Sequence, residues 1–533
     1  MKMRKIIIIL MVFSMLILFV GCQATEKAEE NSDGSVSVEK DTSTSKSQEK
    51  PVLKILVVTH SWTKDVEEIP MFQELADEVG VTIEWEQVRD GWDEKKNIIL
   101  ASGDLPDIFI SALNDSDIAS FPTLFEPMNQ LIEDYAPNIQ TMFEELPNTK
   151  SLATSLDGNI YGLVSVIPHR PSSFNVFSIN KTWLDNLGLS QPETFDDFYN
   201  VLKAFKENDP NGNGKMDEIP FDWAPDRGLF TAMSMIGAYG NYAEDFSGDW
   251  LSAKDGQVVF LPQTEDYYNL VSYLHKLYAE GLINQEIFTQ DYSQFQSRSK
   301  DPEYAKVGAT MGWSIEDRFG VQWKDQYVVQ LPLAAEDGIS PLWPANEMRT
   351  KYLTNKAHLT TSCENKEAAM KFLDGFFSEE MSAQGYYGSL DVCVEKDGDN
   401  YIVLEPENGM GADEWKWTNA LVDNGLMYVS PNLESRIIAP ESITQRVELD
   451  SLYREYFPEE SSILPVLKFT AEENNDLALI KNDVYNIVDT HWAKWIFEGG
   501  IDSEWSSYLD SLKRAGLEDY LSIYQNHYTE YLE

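Results

Sequence analysis

The segments VLKILVVT (Val52–Thr59), PMFQELADEVG (Pro70–Gly80) and VTIEWEQV (Val81–Val88) decide the fold. The first is an apolar run of strand length, and the third is a second strand pattern. The middle segment has helical periodicity and ends at a glycine, and its apolar face consists of Met71, Phe72, Leu75, Ala76 and Val79. The order strand, helix, strand predicts the start of an α/β unit.

The same alternation continues downstream. DEKKNIILASG (Asp93–Gly103) predicts a second helix, and DIFISA (Asp107–Ala112) predicts a third strand. Strand and helix periods that alternate in this way indicate a mainly parallel sheet. Ligands of such sheets bind at the carboxyl ends of the strands. After the first strand this position carries HSW, His60–Trp62.

The size of the chain limits the number of lobes, and its charge limits the class of binding partner. The region from Val52 to Glu533 is too long for a single hydrophobic core, so we expect two lobes. The chain has 41 basic and 89 acidic residues, a formal net charge of −48. A surface of this sign repels phosphate backbones, which argues against a nucleic-acid partner.

The N-terminus has the pattern of an export signal. Met1–Lys5 carries three basic residues and Ile6–Val20 is apolar, so we expect residues 1–21 to be a signal peptide. The ending LFVGC resembles the lipobox of bacterial lipoproteins, which implies a lipid on Cys22; an ordinary secretory signal is the alternative. Residues 22–51 are polar and lack aromatic side chains, so we predict a disordered tether.

Several longer motifs resemble one family. They are ASGDLPDIF, DGNIYGL, INKTWLDNLGL, PETFDDFYNVLKAFKENDPNGNGKMDEIP, GLINQEIF and NKEAAMKFLDGFF, followed by an acidic, aromatic C-terminus. Together they are similar to the family 1 extracellular solute-binding proteins, in the large Gram-positive lipoprotein branch that serves carbohydrate ABC importers.

The resemblance implies an α/β, two-lobed, type II periplasmic-binding-protein-like clam-shell with a ligand cleft between the lobes. We place one lobe at 52–164 plus 342–390 and the other at 165–341 plus 391–533. The implied function is capture of an oligosaccharide and its delivery to ABC permease subunits. The protein is then expected to be a monomer, lipid-anchored at the extracellular face of the cell membrane.

DPNGNGKMDEIP (Asp209–Pro220) has acidic and amide side chains on alternate residues, as in a calcium-binding EF-hand loop. Pro220 stands where the loop needs a carboxylate, and Glu218 is the substitute. A helix precedes the loop but none is expected after it, so a structural role is predicted rather than a sensor. The resemblance implies Ca²⁺ ligands at Asp209, Asn211, Asn213, Lys215, Asp217 and Glu218. A tight Asn-Gly turn without metal is the alternative.

Sugars pack their C–H faces on aromatic rings and take hydrogen bonds at their edges. The candidate ligand-binding residues therefore combine aromatic and donor groups: Trp62, Arg170, Trp223, Trp313, Trp343 and Tyr387. For each tryptophan a place in the core is the alternative, and Arg170 could form a salt bridge between the lobes. Contact of Arg170 with ligand would favour an acidic sugar.

Catalytic motifs such as GxSxG, HExxH or a P-loop are absent from the sequence, so we predict that the protein is not an enzyme. A surface-attached polysaccharide-degrading enzyme, a binding protein for a non-sugar solute such as a peptide, and a signalling receptor stay open as alternatives. Cys363 and Cys393 could form a disulfide or remain free thiols.

Overall fold

The computed structural model describes residues 50–225, 227–241, 248–407 and 410–532. The region Lys50–Glu533 is one compact unit. The predicted signal peptide, Cys22 and nearly all of the predicted tether lie outside the described residues. Among the helices of the described ranges, none combines the length and apolar character that crossing a membrane requires.

The strands within the described ranges are short, and most are buried. They are β1 Val52–Val58, β2 Thr82–Val88, β3 Ile108–Ile110, β4 Ser165–Val166, β5 Val176–Asn180, β6 Ile219–Asp222, β7 Leu251–Lys254, β8 Gln257–Phe260, β9 Val307–Gly312, β10 Tyr327–Val329, β11 Tyr352–Leu353, β12 Ala357–Leu359, β13 Val394–Asp397, β14 Asn400–Val403 and β15 Ile437–Ile438.

Helices surround these strands. They are α1 Pro70–Val79, α2 Trp92–Ser102, α3 Asp115–Ser120, α4 Asn129–Tyr135, α5 Pro137–Glu145, α6 Pro147–Ala153, α7 Lys181–Leu187, α8 Phe195–Glu207, α9 Glu265–Ala279, α10 Tyr292–Arg298, α11 Ile315–Trp323, α12 Glu347–Thr350, α13 Lys366–Gly375, α14 Glu379–Tyr387, α15 Ala412–Asn419, α16 Pro431–Glu434, α17 Glu441–Tyr453, α18 Ala471–Glu498, α19 Ile501–Arg514 and α20 Leu517–Leu532.

The segments Val52–Thr59 and Val81–Val88 supply β1 and β2 of the first sheet, whose order is β12-β3-β1-β2. Strand β1 pairs in parallel with both β2 and β3, while β12 joins β3 antiparallel. Between β1 and β2, helix α1 buries Met71, Phe72, Leu75 and Ala76 and ends at Gly80, whose φ of 81° is left-handed. The predicted α/β fold class with a mainly parallel sheet is confirmed for this part of the chain.

The second large sheet has the order β10-β5-β9-β6 and is mixed. Strand β5 is antiparallel to β9 and β10, and β6 is parallel to β9. Helix α8 precedes β6 and begins with a capping box in which Thr194 and Asp197 exchange hydrogen bonds. The loop at 209–218, called the calcium-type loop below, lies between α8 and β6.

Each of the two large sheets has its own hydrophobic core. One joins β1, β3 and β12 to α1, α5 and α13, and the other joins β5, β6 and β9 to α8, α9 and the C-terminal helices. Residues of 421–428 contribute to the first core, and a smaller cluster unites Ile167 with residues of 383–437. The lobe boundaries given above therefore stay a prediction, although residues of 421–428, which that prediction assigns to the second lobe, pack in the core of the first.

The segment Ala368–Gly388, which reads as a single amphipathic helix, is divided into α13 and α14. The break falls at Phe376–Ser378, because the Ser378 side chain accepts a hydrogen bond from the Met381 amide and caps the second helix. Cys363 and Cys393 are both buried free thiols.

Candidate functional site

The candidate site collects residues that are far apart in the sequence. The loop after β1 contacts α15, because the Thr63 hydroxyl donates to the Trp417 carbonyl at 2.9 Å. Two further elements are the turn after β3, at Ser111, and a short helical turn at Val422–Asn424. They meet where Ser111 Oγ donates to the Asn424 carbonyl at 3.0 Å. The ends of β1 and β3 thus reach one region, as expected for a parallel sheet.

An exposed aromatic surface lies on the β1 loop. His60 contacts Trp62 and Trp417, with ring centroids 4.9 and 4.8 Å away. Trp62 is 53% exposed, which is unusual for a side chain of this size. This surface, formed by His60, Trp62 and Trp417, is called the aromatic platform below. It offers a flat apolar face with a polar edge, the combination that a pyranose or furanose ring requires.

A cluster of charged side chains lies near the platform. Arg170 forms an ion pair with Asp423, and its guanidinium lies over the rings of Phe174 and Trp313 at 5.5 and 5.6 Å. Arg446, on α17, lies over Trp313 at 5.1 Å. Trp313 therefore supports two guanidinium groups. Its faces are less available to a ligand than the face of Trp62.

Two lysines complete the charged cluster. Lys356, directly before β12, donates to Ser111 Oγ at 3.2 Å. Lys416, on α15 next to the platform, pairs with Asp413 at 3.2 Å and lies 4.7 Å from the centre of the Tyr386 ring. Lys416 thus joins the platform to the Arg170 region.

Burial strongly affects the charges of this cluster. It lowers the pKa of Lys356 to about 8 and that of Arg446 to about 10. Burial also disfavours the charged form of Arg170, but Tyr386 and Asp423 outweigh this effect and raise the pKa of Arg170. The pKa of Lys416 is likewise raised, because Tyr386 and Asp413 outweigh desolvation. Burial thus weakens the charged forms of Lys356 and Arg446, while nearby groups keep the charged forms of Arg170 and Lys416 favoured.

The backbone around this cluster is strained. Ser111, His169, Asn355 and Val422 have positive φ values of 52°, 48°, 58° and 53°. A positive φ is unfavourable for side chains other than glycine, and most of all for a β-branched residue such as Val422. Such residues cost on the order of 1–3 kcal/mol each and concentrate at functional sites. The strain is therefore a second indication of a site, independent of the charges.

The other predicted contact residues are buried. Trp223 packs on Phe221 in the larger core. Trp343 is stacked against Phe177 and Tyr453 and donates through Nε1 to a backbone carbonyl at 3.0 Å. Both rings are part of the core in this structure, the alternative that the sequence left open.

Tyr387 is buried as well, and its hydroxyl is hydrogen-bonded to His169 Nδ1. It therefore supports the segment that carries Arg170. Of the six predicted contact residues, Trp62, Arg170 and Trp313 lie in the region described here. Five other residues of this region were not predicted from the sequence: Trp417, Lys356, Lys416, Asp423 and Arg446.

The calcium-type loop has the turns expected of a cation-binding loop. Asp209 accepts hydrogen bonds from the Asn213 and Gly214 amides at 3.1 and 2.9 Å. Asn213 Oδ1 accepts from the Lys215 amide at 2.7 Å. These bonds hold the side-chain oxygens inside the loop, although within the described residues no group of three or more His, Cys, Asp or Glu side chains is arranged to hold a metal ion.

Glu218 is the notable member of this loop. Both of its carboxylate oxygens are buried and accept no well-formed hydrogen bond, although the backbone amides of Asn211 and Glu218 lie close enough to favour the charged form. Burial, together with the nearby carboxylates of Asp209 and Asp217, raises the pKa of Glu218. A bound cation would offset the effects that disfavour the charged form of this carboxylate.

A two-lobed α/β fold with an exposed aromatic surface beside a charged cluster is the architecture of a solute-binding protein. Residues 60–383 match the profile of the family described as "Bacterial extracellular solute-binding protein", and the chain belongs to this family. The resemblance seen in the sequence is confirmed.

Two relatives are similar over nearly the whole chain. A solved structure of an HMO-binding, ABC-transporter-associated solute-binding protein from Bifidobacterium longum infantis is 30% identical, covers 90% of this chain and 99% of its own, and has a TM-score of 0.84. The fructooligosaccharide ABC transporter substrate-binding protein FusA of Streptococcus pneumoniae is 29% identical over 91% of each chain. The structure of a FusA EF-hand mutant with fructo-nystose is 28% identical, covers 90% and 99% of the two chains, and has a TM-score of 0.80.

Proposed function

We propose that this protein captures an oligosaccharide at the aromatic platform and the adjacent charged cluster and delivers it to the permease of a carbohydrate ABC importer. The exposed Trp62, next to His60 and Trp417, is the observation that carries the proposal. The HMO-binding relative and the fructooligosaccharide-binding FusA support the same class of ligand.

Arg170 suggests how binding leads to closure. Its guanidinium contacts Phe174 and Trp313, next to the larger core, and pairs with Asp423 in the turn beside Leu421 of the other core. A ligand that contacts both sides of this bridge binds the closed form more tightly than the open form. Its differential affinity shifts the population toward closure. The closed form is then what the permease recognises.

Replacing Trp62 by alanine is expected to weaken oligosaccharide binding about thirtyfold, or ~2 kcal/mol, since the variant loses the exposed stacking face. Isothermal titration calorimetry with the best ligand of a saccharide panel measures the effect. Tyr531→Ala is the matched control, because Tyr531 is 62% exposed but lies on α20. Equal affinities of Trp62→Ala and the control would contradict the proposed platform.

We further propose that the loop at 209–218 binds a structural Ca²⁺. The buried carboxylate of Glu218, which faces Asp209 and Asp217, supports the proposal, as does the existence of an EF-hand in the related FusA. Asp209, Asn211, Asn213, Asp217 and Glu218 would offer side-chain oxygens and Lys215 its carbonyl. Calcium would neutralise the facing carboxylates and fix the connection between α8 and β6.

Removal of calcium is expected to lower the melting temperature by several degrees, because an ion present at a hundred times its Kd stabilises the folded state by ~2.7 kcal/mol. Differential scanning calorimetry with calcium and with chelator measures this. Glu218→Gln is expected to lose most of the calcium response. Lys215→Ala, which removes no ligand atom, is expected to keep it. An unchanged melting temperature on chelation would refute the site.

The remaining expectations concern the cell surface. We propose that Cys22 is lipidated and anchors the protein outside the membrane, and that the protein binds its ligand without chemical change. The apolar run at Ile6–Val20 and the LFVGC sequence support the anchor. Incorporation of labelled palmitate that is equal in wild type and Cys22→Ala would contradict it.

A further inference from the structure

One face of α17 binds the backbone of Ser172 and Ser173. The two carboxylate oxygens of Asp450 accept the amides of Ser172 and Ser173 at 2.9 and 3.0 Å. Four residues earlier, on the same face of the helix, Arg446 donates through Nη2 to the Ser173 carbonyl. Both side chains are buried. Arg446 and Asp450, called the backbone clamp below, therefore fix three backbone groups of two neighbouring residues.

The backbone clamp is tied to the second large sheet. Tyr453, the last residue of α17, belongs to the larger core, and its hydroxyl accepts the amide of Phe177 in β5 at 2.9 Å. The Asn346 amide donates to the Ser172 carbonyl at 2.8 Å. Asn346 follows Trp343, which is a member of the same core. The chain from Ser172 onward is thus held on the side of the second sheet.

A few residues earlier, the chain is held on the other side. The His169 amide donates to Glu434 Oε1 at 2.6 Å. Glu434 lies on α16 next to Leu433, which packs with Ile167 in the smaller cluster. Val166, the residue before Ile167, belongs to the core of the first sheet. The chain up to His169 is thus held on the side of the first sheet.

Only Arg170 and Pro171 separate these two attachments. In the part of the chain that the structure describes, neither residue forms a hydrogen bond to another backbone group through its own backbone. His169, directly before them, has a left-handed φ of 48°. Hinges consist of a few residues that take up changes in φ and ψ. Because proline fixes its own φ, rotation here is limited to the remaining dihedrals of His169–Pro171.

We propose that His169–Pro171 is a pivot between the two lobes, and that Asp450 and Arg446 are positioning residues that hold one end of it. The proposal rests on the proposed function and adds the residues that control it. Arg170 lies on the pivot itself, so a ligand that contacts its guanidinium acts directly on the rotation. The guanidinium of Arg446 lies over Trp313 at 5.1 Å, and that of Arg170 lies over the same ring at 5.6 Å. Ligand contact and closure are therefore coupled through neighbouring side chains.

The test measures the distance between the lobes in the absence of saccharide. Ile98 and Val321 are 70% and 71% exposed and lie on α2 and α11, which pack on the first and the second sheet. Each is replaced by a cysteine that carries a spin label, and double electron–electron resonance gives the distribution of distances in the purified protein. Cys363 and Cys393 are buried and are not expected to react with the label.

Asp450→Ala removes both acceptors of the backbone clamp, and Pro171→Gly frees the fixed φ of the pivot. Each is expected to make the distribution about twice as broad and to extend it to longer distances, because the pivot is less restricted. Asp450→Asn keeps one acceptor oxygen and is expected to give an intermediate width. Should Asp450→Ala fail to fold, Pro171→Gly and Asp450→Asn provide the same comparison.

Asp374→Ala is the matched control. Asp374 is also a buried carboxylate that accepts a backbone amide, that of Ile139 at 2.9 Å, but it lies on α13 in the core of the first sheet. Its loss is expected to lower stability and to leave the distribution of distances unchanged. The same distribution in Asp450→Ala and Asp374→Ala would show that Asp450 has only a structural role and would overturn the proposal.

Calorimetric titration of the same variants with a panel of saccharides separates the pivot from the proposed function. With a saccharide that the wild type binds, Asp450→Ala is expected to weaken binding about tenfold. Binding of a saccharide together with wild-type distributions in Asp450→Ala and Pro171→Gly would overturn the pivot and leave the proposed function intact. Broadened distributions in both variants, with no saccharide bound by the wild type, would support the pivot and contradict the proposed function.

Discussion

Replacing Asp222 by alanine is expected to lower the free energy of unfolding by about 3–5 kcal/mol, because it leaves the buried guanidinium of Arg318 without its counter-charge. Asp222 and Arg318 are 0% and 1% exposed, and Nη2 lies 3.5 Å from Oδ2. Asn284 and Gln290 donate to the other oxygen of Asp222 at 3.1 and 3.0 Å. Burial lowers the pKa of Arg318 to about 10 and raises that of Asp222.

The pair matters for the site because of its position. Asp222 ends β6, and Arg318 lies on α11, five residues after Trp313. Denaturant unfolding measures the loss. Glu286→Ala, which removes the partially exposed pair with Arg298, is the control and is expected to change stability by less than about 1 kcal/mol.

A double variant makes this test independent of a general intolerance to substitution. Asp222→Leu combined with Arg318→Met removes both charges together, and is expected to be more stable than Asp222→Ala. A loss of less than about 1 kcal/mol in Asp222→Ala would show that the buried pair is not the stabilising feature described here.

His358→Asn is expected to reduce the loss of stability on acidification by up to about 3 kcal/mol. Burial lowers the pKa of His358 to about 4, from an ordinary value of 6.5. A shift of one unit corresponds to about 1.4 kcal/mol. The imidazole is fully buried between β12 and the chain at Tyr161, whose carbonyl lies 2.9 Å from Nδ1. A carbonyl only accepts, so Nδ1 carries the proton and Nε2 is unprotonated.

The sign follows from the direction of this shift. Between pH 6.5 and 4 the unfolded chain binds a proton at His358 that the folded chain does not. The stability that the neutral imidazole contributes is therefore complete above pH 6.5 and is lost as the pH falls toward 4. Asp374 acts in the opposite sense, since burial raises the pKa of its carboxyl to about 6. Only the difference between wild type and variant therefore isolates the histidine.

Asparagine retains an amide donor at the position of Nδ1, so the hydrogen bond to Tyr161 can be kept. Unfolding free energies at pH 7 and pH 4.5 give the comparison. His60→Asn, on the exposed β1 loop, is the control and is expected to retain the acid sensitivity of the wild type. An equal acid-induced loss in wild type and His358→Asn would contradict the assignment.

The first sheet could be predicted from the sequence because its signals are local. Strand β1, helix α1 and strand β2 each follow from the hydrophobic period of a short segment, and Gly80 marks the helix end through its left-handed φ of 81°. The break between α13 and α14 had a local signal as well, since Ser378 precedes two glutamates, but the continuous apolar pattern across Phe376 and Phe377 hid it.

The site could be predicted only in part, because its contacts are not local. Thr63 and Trp417 are hydrogen-bonded although 354 residues separate them, and no period in the sequence reports such a contact. The positive φ of Val422 has no sequence signal, since the position is occupied by neither glycine nor asparagine. The sequence predicts ligand contact for both Trp343 and Trp62. In the structure Trp343 is buried in a stack of rings, whereas Trp62 is exposed.

The central claim is that the protein is a stoichiometric binder of oligosaccharides. The most direct measurement is a calorimetric titration of the purified protein with neutral and uronic-acid oligosaccharides. The saccharide is then recovered from the calorimeter cell and analysed by chromatography. We predict saturable binding of one ligand per chain for one class of saccharide, with the saccharide recovered unchanged. No binding by any saccharide, or recovery of shortened products, would contradict the account.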